Sequence, residues 1–128
     1  SLTLTPTDYS GASWDPTSGP DPLIWVRVGS ATASPFEIDG PDNTLAITYA
    51  ASNRITNQTA GSIATLLRFE IWEDDTPLKG GDDGVCFFTY TGGVPAIDFS
   101  SPSMTARCVA DPARMVSAMT LTWHLEPS

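Results

Sequence analysis

Basic residues are scarce in this chain of 128 residues. Six lysines and arginines stand against 15 aspartates and glutamates, which gives a net charge of −9 at pH 7 and a pI near 4.1. A chain with this balance repels nucleic acid, and it repels anionic membranes unless a bound cation intervenes. Nucleic acid is therefore excluded from the expected partners.

Long apolar runs and the common catalytic motifs are also missing. No stretch approaches the roughly 20 apolar residues of a membrane-spanning helix, and there is no GxSxG, HExxH, P-loop or GxGxxG motif. The single histidine, His124, alternates with threonines, which favours an exposed strand position over a catalytic one. Asp75 and Asp83 could form a hydrolytic carboxylate pair, but acids as crowded as these suit a bound cation better than the one raised and one ordinary pKa that such a pair needs. We therefore expect a protein that is not an enzyme.

Cysteine is limited to Cys86 and Cys108, and neither belongs to a CxxC pair. Zinc sites and thioredoxin-type redox sites are therefore unsupported. The sequence is compatible with one disulfide, which would stabilise the folded state by about 3 kcal/mol for a closed loop of this length. It is equally compatible with two buried free thiols.

Apolar residues recur with a period of two, which indicates β-strands. In the stretch LIWVRV, Ile24, Val26 and Val28 share one face, and Trp25 and Arg27 share the other. The same alternation appears in LTLT, LLRFEIWE and MTLTWHL, while VCFFTY is apolar on both faces and predicts a central strand. QTAGSIATLL is compatible with a helical turn. With 11 prolines and 10 glycines between the runs, we predict an all-β chain. It would form one domain over residues 1–128, an antiparallel β-sandwich of about eight strands.

Acidic residues concentrate in two short segments between expected strands. The first acidic segment (residues 15–21) and the second (residues 73–83) hold seven of the 15 acids, namely Asp15, Asp21, Glu73, Asp74, Asp75, Asp82 and Asp83. If both segments lie at the same end of the sandwich, five or more carboxylates converge, and like charges this close destabilise one another. Hard oxygen donors in this number suit Ca²⁺. For either segment taken alone, a solvated turn remains the alternative.

The spacing of the first acidic segment carries a family resemblance. WDPTSGPDPLIWVRV resembles the first calcium loop and following strand of the C2 domain, the calcium- and phospholipid-binding sandwich of synaptotagmin and protein kinase C. Asp15 and Asp21 fall on the two aspartate positions of that loop, and Gly19 and Pro22 fall on its small and proline positions.

The second acidic segment extends the resemblance. FEIWEDDTPLKGGDDG resembles the third calcium loop, with Trp72 at the aromatic position, Glu73 and Asp75 as the paired acids, and Asp83 or Asp82 as the last acid. Glu73 replaces the usual aspartate, and the segment is one residue longer than usual. The match covers about residues 2–28 and 66–88, and the second calcium loop has no clear counterpart in residues 29–65.

The resemblance implies a C2-like Greek key whose loops bind Ca²⁺. The implied metal ligands are Asp15, Asp21, Glu73, Asp75, Asp82 and Asp83. The implied partner is a phospholipid membrane surface reached through calcium, or another protein or domain, with Leu78 and Lys79 at the tip of the second acidic segment. The alternative is an extracellular β-sandwich that binds protein or carbohydrate, in which Trp14 and Trp72 form a binding face and calcium is only structural. We expect an extracellular, cell-surface or periplasmic protein.

Overall fold

A computed structural model describes residues 1–4, 19–49, 54–73, 83–91, 104–108 and 119–123. Strands account for most of these residues, and one short helix interrupts them. In chain order the elements are β1 (Leu2–Leu4), β2 (Pro22–Val28), β3 (Phe36–Asp39), β4 (Ala46–Ile47), α1 (Ala60–Thr65), β5 (Leu66–Glu73), β6 (Asp83–Thr91), β7 (Met104–Cys108) and β8 (Met119–Trp123).

These strands form two four-stranded sheets. One sheet has the order β4-β1-β8-β7 and the other has the order β3-β2-β5-β6. All the pairs are antiparallel. The prediction of a mainly β chain with antiparallel sheets is therefore confirmed.

One hydrophobic cluster draws side chains from both sheets. Leu2 and Leu4 of β1 belong to it together with Ile24 and Val26 of β2, all at most 5% exposed. The predicted alternation explains this placement, because every second residue of β2 and β5 points to the same face and those residues are apolar as far as Ile71. Burial of each such side chain contributes about 1.5–3 kcal/mol.

A disulfide between Cys86 of β6 and Cys108 of β7 links the two sheets. The Cα atoms of the pair are 6.3 Å apart, which is within the range of protein disulfides, and 22 positions separate the two residues in the sequence. Of the two alternatives that the sequence left open, the structure has the bonded one.

The prediction that VCFFTY forms a central strand is wrong for the described part of the chain. β6 stands at the end of its sheet, next to β5 alone. Its two apolar faces have a different cause, because Cys86 and Tyr90 join the core while Phe87 packs among aromatic residues on the opposite face.

The helical turn expected in residues 58–67 is α1. Thr59 caps it, and its hydroxyl oxygen accepts a 3.0 Å hydrogen bond from the amide of Ser62. Among the described helical residues, no segment has the length and apolar character that crossing a membrane requires.

Candidate functional site

Strand register brings the two acidic segments to the same end of one sheet. Pro22, the first residue of β2, lies opposite Glu73, the last residue of β5, and Glu73 in turn lies opposite Asp83, the first residue of β6. Asp21 directly precedes Pro22. The end of the first acidic segment and both ends of the second therefore lie at one end of three adjacent strands. A cation site shared by the two segments requires this arrangement.

Asp21 is held in place by its neighbours in the chain and by a turn further along. Pro20 and Pro22 on either side of it are fully buried, and their rings fix the backbone φ at both positions. An oxygen of the Asp21 carboxylate accepts a 2.9 Å hydrogen bond from the amide of Asn43. The side-chain oxygen of Asn43 accepts a 3.1 Å bond from the amide of Gly19. The Asp21 carboxylate is thus positioned by contacts within the protein itself.

The turn that holds Asp21 follows β3 and adds further acids to this end of the sheet. Asp39 lies opposite Leu23, and the amide of Gly40 donates a 3.0 Å bond to the carbonyl of Pro22. A Cβ atom at Gly40 would lie 2.7 Å from that carbonyl oxygen, so the close approach requires glycine. With Asp42, this turn supplies two acidic residues that the sequence interpretation did not assign to the site.

Glu73 occupies a different environment from the one expected. It is the last residue of a strand rather than a loop residue, it shares the core-facing side with Ile71, and it is only 3% exposed. The second acidic segment is accordingly shorter as a loop than the sequence indicated, because Glu73 and the backbone of Asp83 belong to paired strands.

The other expected site residues lie outside the described residues. These are Asp15, Asp74, Asp75, Asp82, the tip residues Leu78 and Lys79, and also Trp14 and His124. Trp72 is described, and it stands on the outer face of its sheet rather than among the acids.

The donor chemistry of the converging end fits a hard cation. Asp21 and Glu73 are carboxylate residues, the donor type that Ca²⁺ prefers, and the backbone of a third acid, Asp83, pairs with Glu73. Within the described ranges, no group of three or more such side chains is close enough to hold a metal ion. A complete site would therefore need Asp15, Asp75 or Asp82 as well.

Tyr49 lies within the electrostatic influence of Asp39, and the pKa of its hydroxyl is raised. Burial raises its pKa to about 12, and the negative charge of Asp39 adds to this effect. Its hydroxyl is buried, and within the described part of the chain it has no hydrogen-bond partner.

The outer face of the sheet β3-β2-β5-β6 carries an aromatic cluster. The ring centroid of Trp72 lies 5.5 Å from that of Trp25 and 5.1 Å from that of Phe87, with the planes tilted by 50° and 52°. Arg27 lies over the ring of Trp25, and Arg68 lies over the ring of Phe87. Three adjacent strands thus present one continuous aromatic row, which we call the aromatic face (Trp25, Trp72 and Phe87).

An ion-pair network underlies the aromatic face. Glu70 is 6% exposed and contacts Arg27 through one carboxylate oxygen and Arg68, at 3.5 Å, through the other. Arg27 also donates to the carbonyl of Ala33, and Arg68 donates a 3.2 Å bond to the hydroxyl of Thr89. The two guanidinium groups are therefore engaged within the protein.

Two features of this region escaped the sequence interpretation. The turn signal in DGPDNT, after the alternating strand FEID, could have located Asn43 and its neighbours. The alternation of Trp25 with apolar core residues placed its ring on the outer face, but partners from two other strands could be found only through register.

The comparisons with known proteins leave the chain without a family. No family model matches it, and neither the curated proteins nor the solved structures contain a significant match.

Proposed function

We propose that this protein is a non-enzymatic calcium-binding module whose acidic end docks to a phospholipid surface or to a partner. The observation that carries the proposal is the register that sets Pro22 opposite Glu73 and Glu73 opposite Asp83. Segments that are remote in sequence meet there, as a shared cation site needs.

Charge explains why a cation belongs at this end. Acidic residues occupy three neighbouring strand ends of a chain whose net charge is −9, and repulsion among acids that lie close together disfavours the folded state. A divalent cation would offset that repulsion. The ligands proposed for it are Asp15, Asp21, Glu73, Asp75, Asp82 and Asp83.

The proposal includes a C2-like sandwich of about eight strands over residues 1–128. Two four-stranded antiparallel sheets that share a core cluster support it. The disulfide between Cys86 and Cys108 supports it further, because it ties a strand of one sheet to a strand of the other.

Docking would depend on calcium. Without it, the acids of this end repel an anionic surface, whereas bound Ca²⁺ offsets part of the local negative charge and can itself coordinate phosphate or carboxylate oxygens of the surface. Leu78 and Lys79 are the proposed contact residues. One leucine contributes at most about 3 kcal/mol, so the cation must carry the binding.

An extracellular, cell-surface or periplasmic location completes the proposal. The disulfide supports it, because disulfides persist in oxidising compartments. Calcium sites of extracellular modules bind with affinities of about 0.1–1 mM, and we expect an affinity in this range.

Vesicle cosedimentation tests the docking. Vesicles of phosphatidylcholine and phosphatidylserine should pellet the protein with calcium and release it with a chelator. Asp21→Asn should abolish pelleting, whereas Glu37→Gln, which removes one charge from β3 on the outer face, should not. Thermal stabilisation by calcium without pelleting would favour the structural-calcium alternative and contradict membrane docking.

A further inference from the structure

We propose that the aromatic face binds a neutral saccharide chain, as a second site separate from the acidic end. The face combines three aromatic rings from adjacent strands with polar side chains at its border. Nothing in the calcium proposal uses these residues, so either proposal can fail without the other.

Ring geometry is the first support. Because neighbouring ring planes are tilted by 50° and 52°, each ring packs against its neighbour without a face-to-face stack. Phe87 remains 42% exposed. The negative face of an aromatic ring attracts the weakly positive C–H groups that cover one side of a pyranose ring.

Polar groups at the border are the second support. Trp25 donates a 3.0 Å hydrogen bond to the exposed Glu37, whose carboxylate can accept further bonds from hydroxyl groups. Thr89 is exposed and lies opposite Arg68 on the neighbouring strand, and its hydroxyl group can donate and accept hydrogen bonds. Aromatic surface with a few oriented polar groups is the usual composition of a small-ligand site. A saccharide matches it, because its C–H groups can pack on the rings and its hydroxyl groups can bond to the polar side chains.

The charged side chains around the aromatic face favour a neutral ligand over an anionic one. Arg27 and Arg68 share the single carboxylate of Glu70. Glu37, beside Trp25, adds a second negative charge, so the face presents no net positive charge to an acidic sugar or a phosphate. The net charge of −9 further repels anions. The same charged side chains next to the rings make the face a poor site for a lipid bilayer, which would have to desolvate them.

Gly84 shows how closely the cluster is built. A Cβ atom there would lie 2.9 Å from the Cζ atom of Phe87 and 3.6 Å from the Cζ3 atom of Trp72. The glycine therefore lets both rings settle on the strand backbone, which fixes their positions before a ligand arrives.

Affinity electrophoresis in chelator tests the proposal. The probes are native gels cast with hydroxyethyl cellulose, xyloglucan, galactomannan, mixed-linkage β-glucan or pullulan. We expect at least one to retard the protein without calcium. Phe87→Leu should weaken that retardation about tenfold, equivalent to about 1.4 kcal/mol.

Phe36→Leu is the matched control. Phe36 is 38% exposed, but it lies opposite Val26 and so projects toward the other side of the sheet. Its retardation should equal that of the wild type. Equal losses in the two variants, retardation that needs calcium, or no retardation by any of the five polysaccharides would overturn the proposal.

A measurement on the wild type covers the case in which Phe87→Leu fails to fold. In ¹H–¹⁵N spectra, oligosaccharides of the retarding polysaccharide should shift the indole N–H signal of Trp25, which is bonded to Glu37. An unmoved signal at saturating ligand would equally overturn the proposal.

Discussion

Pro22 and Glu73 stand opposite each other where β2 begins and β5 ends. This single pairing connects the first acidic segment to the second, because Asp21 precedes Pro22 and Asp83 lies opposite Glu73 on the other side. The acidic end of the sheet is thus a consequence of strand register.

Reduction of the disulfide should destabilise the protein. Cys86 and Cys108 join the two sheets across 22 positions, and removing such a link lowers the free energy of unfolding by about 3 kcal/mol. Urea unfolding with and without dithiothreitol measures the effect. A variant with both cysteines changed to alanine should no longer respond to the reductant, and an unchanged wild-type midpoint would contradict the structural role.

Loss of the buried carboxylate on the outer face should be costly. Glu70→Gln leaves Arg27 and Arg68 without their shared counter-charge, and we expect unfolding to become easier by about 2 kcal/mol. Glu37→Gln is the control, because Glu37 is exposed and its replacement can still accept from Trp25. Equal midpoints for the two variants in urea would show that the ion-pair network adds nothing.

Gly84 and Phe87 should be energetically coupled. Gly84→Ala places a methyl group against the far end of the Phe87 ring. Because that ring is 42% exposed and can turn aside, the substitution should cost about 0.5–1.5 kcal/mol. In Phe87→Leu the same alanine should cost less, because the shorter side chain no longer reaches it. A double-mutant cycle measures this coupling, and strictly additive effects would argue against the contact.

The pH dependence of stability should show a contribution from Tyr49. Its pKa is raised from 10.0 to about 12 by burial and by Asp39, so the unfolded chain loses this proton first as the pH rises. The stabilisation is complete below pH 10 and is lost as the pH rises through about 12. Tyr49→Phe should lose less stability than the wild type over this pH range. Part of the decrease should remain, because burial also raises the pKa of Tyr90.

The same variant should be stable at neutral pH. Tyr49→Phe removes a buried hydroxyl that has no hydrogen-bond partner among the described residues, so stability should be unchanged or rise by about 1 kcal/mol. Thermal unfolding between pH 7 and alkaline pH measures both effects. If the variant is less stable than the wild type at pH 7, the Tyr49 hydroxyl makes a stabilising contact and this prediction is wrong.

Alternation in the sequence was sufficient to predict the strand faces of β2 and β5, since period-two patterning depends on local geometry alone. It could not reveal that β6 is at an edge, because two apolar faces arise equally from a central strand and from an aromatic row such as that of Phe87. The placement of Asp21 and Glu73 at the same end of the sheet was a conditional prediction, because pairing between distant strands leaves no local pattern in the sequence. The contact between Asn43 and Asp21 depends on the same long-range register.

Calorimetric titration of the metal-stripped protein with Ca²⁺ tests the central claim most directly. We expect saturable binding at millimolar calcium or below. Asp21→Asn should lose that binding while it keeps the fold, because the asparagine side-chain oxygen can still accept from the amide of Asn43. Glu37→Gln should bind like the wild type. Absence of binding heat in the wild type, or undiminished binding by Asp21→Asn, would contradict a calcium site at the acidic end.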